Sequence, residues 1–320
     1  MTFQTVRLDD IDFSDETFRI TEDLALEKMM ASLKATGQIN PVVLLTRTAS
    51  PDVIVCGFRR LHALRQLGVR EAMARMEQPS RAPLEIFSMA LLDNVSHRVL
   101  NPLECARALS VLEHSCDVDQ STLVEKYLPL MGLAPHKNVL CSYLSLHRLE
   151  PALRRLLREE HLTVSSAERL AGKSSETQQE YARVLDRVRL SAAMQRKVLD
   201  LLEELGALAA AGLKEVVDRP EIASVLKGPG LSPFQRGEKV HDALRRLASP
   251  RLCRAHDQFR AKGRSLKLPG KVCLAPDPCF ETPRIRVDFE VSSAAEFRDV
   301  ASALHQAAQN PALDGLFQLD

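Results

Sequence analysis

The run Cys56-Gly-Phe-Arg-Arg-Leu-His-Ala-Leu-Arg65 carries the densest chemical signal in this 320-residue chain. Gly57 lies between an apolar strand and a helix, and Arg59 and Arg60 occupy the first helical turn. Backbone N–H groups at a helix N-terminus, with guanidinium groups beside them, make an anion site. A lone carboxylate or a sugar would not demand two adjacent arginines, whereas a polyphosphate would reward them. Two other segments offer complementary groups. Gly37-Gln-Ile-Asn40-Pro41 puts a polar tight turn just before a buried strand. Asp93-Asn94-Val-Ser-His97-Arg98 ends one helix, and Asn101-Pro-Leu-Glu104 starts the next. The Asp93 and Asn94 oxygens suit a hard cation such as Mg²⁺, which bridges phosphates while keeping several waters. The same pair equally suits a helix C-terminus with surface solvation, and both readings stand at this point.

The elements that must position these groups follow from periodicity. Thr5 to Leu8 reads as a strand. Thr21-Glu-Asp-Leu24 is expected to open a helix, with Thr21 as N-cap and acids in the first turn. Leu26, Met29, Met30 and Leu33 form its apolar stripe, and Gly37 ends it. Pro41–Leu45 and Asp52–Cys56 read as buried strands, and Phe58–Leu67 as a helix stopped by Gly68. From residue 84 to about 213 the pattern is helical, with segments at 84–94, 102–114, 120–131, 137–148, 151–159, 164–171, 176–188 and 191–209. Between about 218 and 269 it loosens, leaving helices near 235–248 and 251–262. Two strands, Lys271–Ala275 and Arg284–Val291, then precede a helix capped by Ser292 or Ser293.

Composition bounds the function classes. Hydrophobic residues make up 45% and charged residues 27%, the balance of a folded globular protein. The longest charge-free apolar stretch of note, Leu205–Leu213, is nine residues, against the roughly 20 a membrane span needs. The acidic N-terminus has no apolar core of a signal peptide, so a cytoplasmic protein without a membrane partner is expected. Seven scattered cysteines without a CxxC read as thiols of a reducing compartment. His114 and Cys116, a lone HxC pair, read as structural. No GxSxG, HExxH or Walker loop occurs. Lys plus Arg is 43 against 42 for Asp plus Glu, but residues 227–271 hold twelve bases and three acids. That local excess supports salt-dependent attraction to phosphates; a solvated linker face explains it as well.

In order along the chain, Thr36-Gly-Gln-Ile-Asn-Pro41, Gly57-Phe-Arg-Arg-Leu-His-Ala63 and Leu92-Asp-Asn-Val-Ser-His-Arg-Val-Leu-Asn-Pro-Leu-Glu104 resemble the three boxes of the ParB family of partition proteins. The resemblance implies a divergent member: a multidomain, mostly helical α+β protein with a small ParB/sulfiredoxin-like α/β domain first. An all-α helix-turn-helix middle and a small ββα dimerisation domain would follow. The corresponding expected boundaries are 1–90, 91–215, a basic linker at 216–268, and 269–320. In that family the boxes form a CTP pocket. Carried over residue by residue, Gly37, Asn40, Gly57, Phe58, Arg59, Arg60, Asn94, His97 and Arg98 would bind CTP, with Asp93 and Asn94 on the Mg²⁺ side. Several positions depart from the pattern. Asn40 replaces the usual Gln, Phe58 and Asp93 replace Glu, and Ser96 and His97 fall where Gln and Arg are usual, with Arg98 one place late. Nucleotide binding is therefore expected more firmly than CTP hydrolysis.

Gln120–Met131, the turn Gly132–Pro135 and the helix from Lys137 to Arg148 fit a helix-turn-helix. Val139, Leu140, Tyr143, Leu144 and Leu146 would include its buried face. Lys137, Asn138, Ser142 and His147 would meet a major groove, where Asn suits adenine and Lys suits guanine or phosphate. Arg154, Arg155 and Arg158 are expected on the DNA backbone or as an ordinary charged face. The C-terminal strand–strand–helix resembles the family's dimerisation domain, whose few large apolar side chains would need a two-fold partner. The expected function is thus a nucleoid-associated, homodimeric, CTP-gated DNA clamp with a ParA-type ATPase as a further partner. A plain DNA-binding regulator and a nuclease on the same fold are the alternatives.

Overall fold

The computed structural model describes residues 3–22, 25–48, 50–278 and 280–317. The chain divides into two compact units, Met1–Asp186 and Arg187–Asp320.

The first unit begins with a mixed five-stranded sheet in the order β1-β5-β3-β4-β2. Its strands are β1 (Phe3–Arg7), β2 (Ile11–Asp12), β3 (Val42–Leu45), β4 (Asp52–Cys56) and β5 (Glu71–Glu77). β5 runs antiparallel to β1 and parallel to β3, and β4 runs antiparallel to β3 and parallel to β2. Alternation along the strands sends side chains to two cores. Val42, Leu44, Ile54, Ala72 and Ala74 pack with α1 (Glu27–Thr36) and α2 (Phe58–Gln66). Val53 and Val55 pack with Phe87 and Leu91 of α3 (Pro83–His97) and with Leu109 and Leu112 of α4 (Pro102–His114).

Two differences from expectation bear on the site. β5, Glu71-Ala-Met-Ala-Arg-Met-Glu77, was not expected, because Ala, Met and Glu favour helix. Its place between β1 and β3 overrides that propensity, and Ala72 and Ala74 are buried there. α1 starts at Glu27, not at Thr21. The Thr21 hydroxyl accepts from Arg98, and Glu22 engages Glu104 and Arg154, so neither is available to open a helix. Asp23 and Leu24, the rest of the expected first turn, lie outside the described residues, as does Cys279. The other six cysteines are free thiols.

After α4, the expected helix 120–131 is α5 (Gln120–Thr122), a π turn Leu123–Tyr127, and α6 (Leu128–Leu130). Pro129 explains the interruption. It has no N–H and its ring would press on the carbonyl four residues back, whereas the wider turn, with Leu128 N–H on Leu123 O, makes room. α7 (Lys137–Ser145), α8 (Pro151–Arg158), α9 (Val164–Ala171) and α10 (Ser175–Leu185) complete the unit. Leu140 and Leu146 are buried, and Val139, Tyr143 and Leu144 pack partly against the same core.

The second unit opens with α11 (Ala192–Leu208), α12 (Leu213–Asp218), α13 (Pro220–Lys227), α14 (Pro233–Ala248) and α15 (Pro250–Ser265). The segment 216–268, expected as a linker, is therefore mostly helix. Pro220, Pro233 and Pro250 stand at the first helical positions of α13, α14 and α15, where a missing N–H costs nothing; they start helices rather than break them, whereas Pro229 lies in the turn between α13 and α14. Ser232 and Gln235 form a capping box at α14. β6 (Val272–Pro276) and β7 (Ile285–Phe289) pair antiparallel, and α16 (Ala294–Ala308) follows, capped by Ser293. The small core here draws Phe259 from α15 and Leu266 from just after it. Val287, Phe289, Val291 and Phe297 stay exposed.

Candidate nucleotide-binding site

α2 enters the site from a glycine. Gly57 has φ +97°, and a Cβ there would lie 2.7 Å from Val42 Cγ1. Both the left-handed backbone and the close approach of β3 require glycine. Leu61 N–H on Gly57 O is the first bond of this helix, so the N–H groups of Phe58, Arg59 and Arg60 have no intrahelical acceptor. Gly57→Ala is expected to destabilise the domain by roughly 1–3 kcal/mol through strain and overpacking. A lowered thermal midpoint with intact secondary structure would read that out.

A cavity of about 460 Å³ opens at this helix end, within the size range of small-molecule sites. Asn40 and Pro41 line it from one segment, Gly57, Phe58, Arg59 and Arg60 from a second, and Asp93, Asn94, His97 and Arg98 from a third. All expected nucleotide residues but one therefore share one pocket. The exception is Gly37, which is not among the lining residues. It ends α1 at φ +69°, with open space where a Cβ would point. Phe18, Ile20, Thr21 and Met29 also line the cavity and were not anticipated. Their signal was the alternation Phe18-Arg-Ile20 beside a polar residue, too short to stand out as an element.

The electrostatics favour an anion, with three arginines lining the cavity against one carboxylate. Arg59 Nη2 donates to Ala25 O at 2.8 Å, while its Nε is buried without a hydrogen-bond partner. Arg60 Nη1 donates to Pro41 O at 3.2 Å. Burial draws the Arg60 guanidinium below its usual value, and the nearby Asp93 charge opposes that. Burial, reinforced by Asp93, pushes the Cys56 thiol up to about 12, so it remains neutral. His97 sits at the rim with Nδ1 2.7 Å from Asp93 O.

The third segment is braced from behind. Asn101 caps α4, accepting from Leu103 and Glu104 N–H at 3.0 Å each, and Glu104 returns the bond to Asn101 N–H at 3.0 Å. Glu104 is only 3% exposed. Its carboxylate also accepts from Arg98 Nη1 at 2.5 Å and from Glu22 N–H at 3.4 Å. Arg98 in turn holds Asn94 Oδ1 at 3.0 Å and Thr21 Oγ1 at 3.2 Å.

That brace also engages one of the expected cation ligands. The Asn94 carboxamide is engaged at both ends, its nitrogen on Ala90 O and its oxygen on Arg98, with one lone pair of that oxygen left over. Among the described residues lining the cavity, Asp93 alone supplies a carboxylate. Among the described residues no group of three or more His, Cys, Asp or Glu side chains is placed to hold a metal. Mg²⁺ characteristically needs only one or two carboxylates when phosphates supply further oxygens. The donor set thus fits a cation arriving with a triphosphate.

The expected DNA-binding residues are placed less uniformly. Lys137 and Asn138 are exposed at the start of α7. Ser142 Oγ turns back to Asn138 O, and His147 Nδ1 meets Leu144 O. Arg154 is paired with Glu22 at 2.6 Å and Arg155 with Asp186 at 2.6 Å. In this conformation both arginines are therefore neutralised within the protein rather than presented bare to a phosphate.

Comparison with known proteins follows the same geography. Residues 2–95 match the ParB N-terminal domain, the stretch that builds the sheet and all but the last part of the pocket. The N-terminal stretch is therefore similar to the ParB N-terminal domain. The probable chromosome-partitioning protein ParB of Vibrio cholerae is 26% identical over 167 residues, 52% of this chain and 54% of that protein. Its Pseudomonas putida counterpart is 29% identical over 161 residues, 50% and 52% respectively. The matching stretch thus spans about half the length of these curated relatives. Among solved structures, C-terminally truncated Caulobacter crescentus ParB complexed to the centromeric parS site covers 60% of this chain and 96% of its own, at 18% identity and a TM-score of 0.35. The same protein complexed with CTP-γ-S covers 58% and 99%, at 20% identity and a TM-score of 0.27.

Proposed function

We propose that this ParB-like chain is a CTP-gated, dimeric DNA-binding protein of chromosome or plasmid partition, working in the cytoplasm on the nucleoid. The observation that carries this reading is the convergence of three separated segments on one cavity at the N-terminus of α2. There the free N–H groups of residues 58–60 and the unpartnered Arg59 Nε await an anion. Phosphates would lie against those amides and the Arg59 and Arg60 guanidinium groups, with the base and sugar towards Phe18, Ile20, Met29 and Val43. Asp93 would hold a Mg²⁺ that comes with the nucleotide and screens phosphate charge.

Lys137 and Asn138 would read a DNA site from α7. The exposed bases Arg251, Arg254, Arg260, Arg264 and Lys267 on and just after α15 would add sequence-independent attraction that falls with salt. The uncovered apolar side chains of β7 and α16, with Phe289 and Phe297 in ring contact at 6.4 Å, support dimerisation through a second copy of the same face. A ParA-type ATPase would be the partner that moves the assembly.

Calorimetric titration of CTP, ATP, GTP and UTP with Mg²⁺, alone and with random or genomic DNA fragments, tests the reading. CTP is expected to bind in preference to the others. If no triphosphate binds with or without DNA, the gate is gone and a plain DNA-binding regulator is what remains.

A further inference from the structure

The segment from Glu16 to Glu22 forms no helix or strand, yet it supplies three walls of the cavity: Phe18, Ile20 and Thr21. Its position is set by fastenings to helices on its other side. Arg107 of α4 donates to Arg19 O at 2.7 Å and to the Glu16 carboxylate at 3.0 Å. Glu104 of α4 takes the Glu22 N–H. The last fastening is different in kind. The Glu22 carboxylate accepts from Arg154 of α8, the helix behind the helix-turn-helix. A second cavity, of about 230 Å³, opens at this pair, with Arg107 and His147 on its wall. The Glu22 side chain is 15% exposed and that of Arg154 33%, so the pair is shielded but within reach of an incoming group.

We infer that Glu22–Arg154 is a latch between the wall of the nucleotide cavity and the DNA-binding helices, opened by a DNA phosphate that takes Arg154 from Glu22. This rests on the nucleotide- and DNA-binding reading above. A guanidinium forks onto one carboxylate or one phosphate, so the two compete for the same donors. The closed pair also sets a carboxylate where a phosphate would arrive, which weakens DNA binding until it opens. Opening removes the side-chain tie at Glu22, whereas Glu16 stays fastened to Arg107, Thr21 to Arg98 and the Glu22 N–H to Glu104; the wall loosens at this end rather than detaches. Because the coupling is reciprocal, whatever tightens the wall around a nucleotide makes Arg154 harder for DNA to take.

Hydrogen–deuterium exchange on the full chain tests the latch. Wild type, Glu22→Gln and Arg154→Met are each compared alone and with a short random-sequence duplex at low salt, with fluorescence anisotropy reporting DNA binding. The duplex is expected to speed exchange of the amides from Phe18 to Glu22 about tenfold in wild type. Both variants are expected to exchange fast without DNA and to gain nothing from it. Glu22→Gln should bind the duplex severalfold more tightly and Arg154→Met more weakly. Unchanged exchange in both variants would overturn the latch, whatever the fate of the DNA-binding reading. A duplex that binds wild type but leaves this segment's exchange alone would overturn the phosphate trigger. A duplex that does not bind wild type at all removes the trigger together with DNA binding, and exchange in the variants then shows whether the pair holds the wall. Circular dichroism melts confirm that each variant is folded.

Discussion

Replacing Arg60 with alanine is expected to weaken CTP binding about 10- to 100-fold, the loss of one charge-assisted contact worth roughly 1.5–3 kcal/mol. Arg60 is half-buried in the first turn of α2, held against Pro41 O, so little of its side-chain freedom is lost when a phosphate arrives. Arg59→Ala should cost a similar factor, because the buried Arg59 Nε has a donor to offer and no acceptor among the described residues. The double variant is expected to lose more than 100-fold, since two adjacent cations share one polyphosphate. Arg59→Lys keeps the charge but not the fork and should fall between. Calorimetry gives the affinities, and thermal melts separate them from folding. If Arg60→Ala and Arg59→Ala both bind CTP as wild type does, the phosphates do not lie at the α2 N-terminus, and the site as built here is wrong.

The second large effect is expected far from any ligand. Glu104→Ala should destabilise the first unit by roughly 2–3 kcal/mol, because it removes a buried carboxylate that accepts from several donors at once. Four groups lose an acceptor or a brace at once: Arg98, Asn101 N–H, Glu22 N–H and, through Arg98, the Thr21 hydroxyl. Glu104→Gln retains an oxygen for the capping box but not the charge for Arg98, so a smaller loss is expected. Chemical denaturation measures both. At temperatures where Glu104→Ala is still folded, its CTP affinity should also fall, because the wall carrying Phe18, Ile20 and Thr21 is no longer held. A loss of stability matching Asn101→Ala, about 1 kcal/mol as for an ordinary cap, would mean that Glu104 serves the helix end alone.

Much of the site was legible without coordinates. The Gly57-x-Arg59-Arg60 turn could be placed because its signals are local: an apolar run ending in glycine, then a helical period with cations in the first turn. The capping box at Asn101 and Glu104 is likewise written within four residues. The helix starts at Pro102, Pro151 and Val164 were legible for the same reason, since their signals depend on adjacent backbone only. Pro220, Pro233 and Pro250 of the second unit also carried the right information, once read as first helical residues instead of breaks.

What only the tertiary structure decided is which of these local pieces meet, and what each polar group is then spent on. β5 is a strand because two neighbours flank it, against the preference of its own alanines and methionines. Asn94 lies at the cavity as expected, but its oxygen is already met by Arg98, four residues on. Arg154 has the charge for DNA and gives it to Glu22, 132 positions earlier in the chain. Residue type and spacing determine what a side chain is able to do. Its partner is chosen by the packing that brings distant segments within 3 Å, and in a shielded site a donor used once is not available twice.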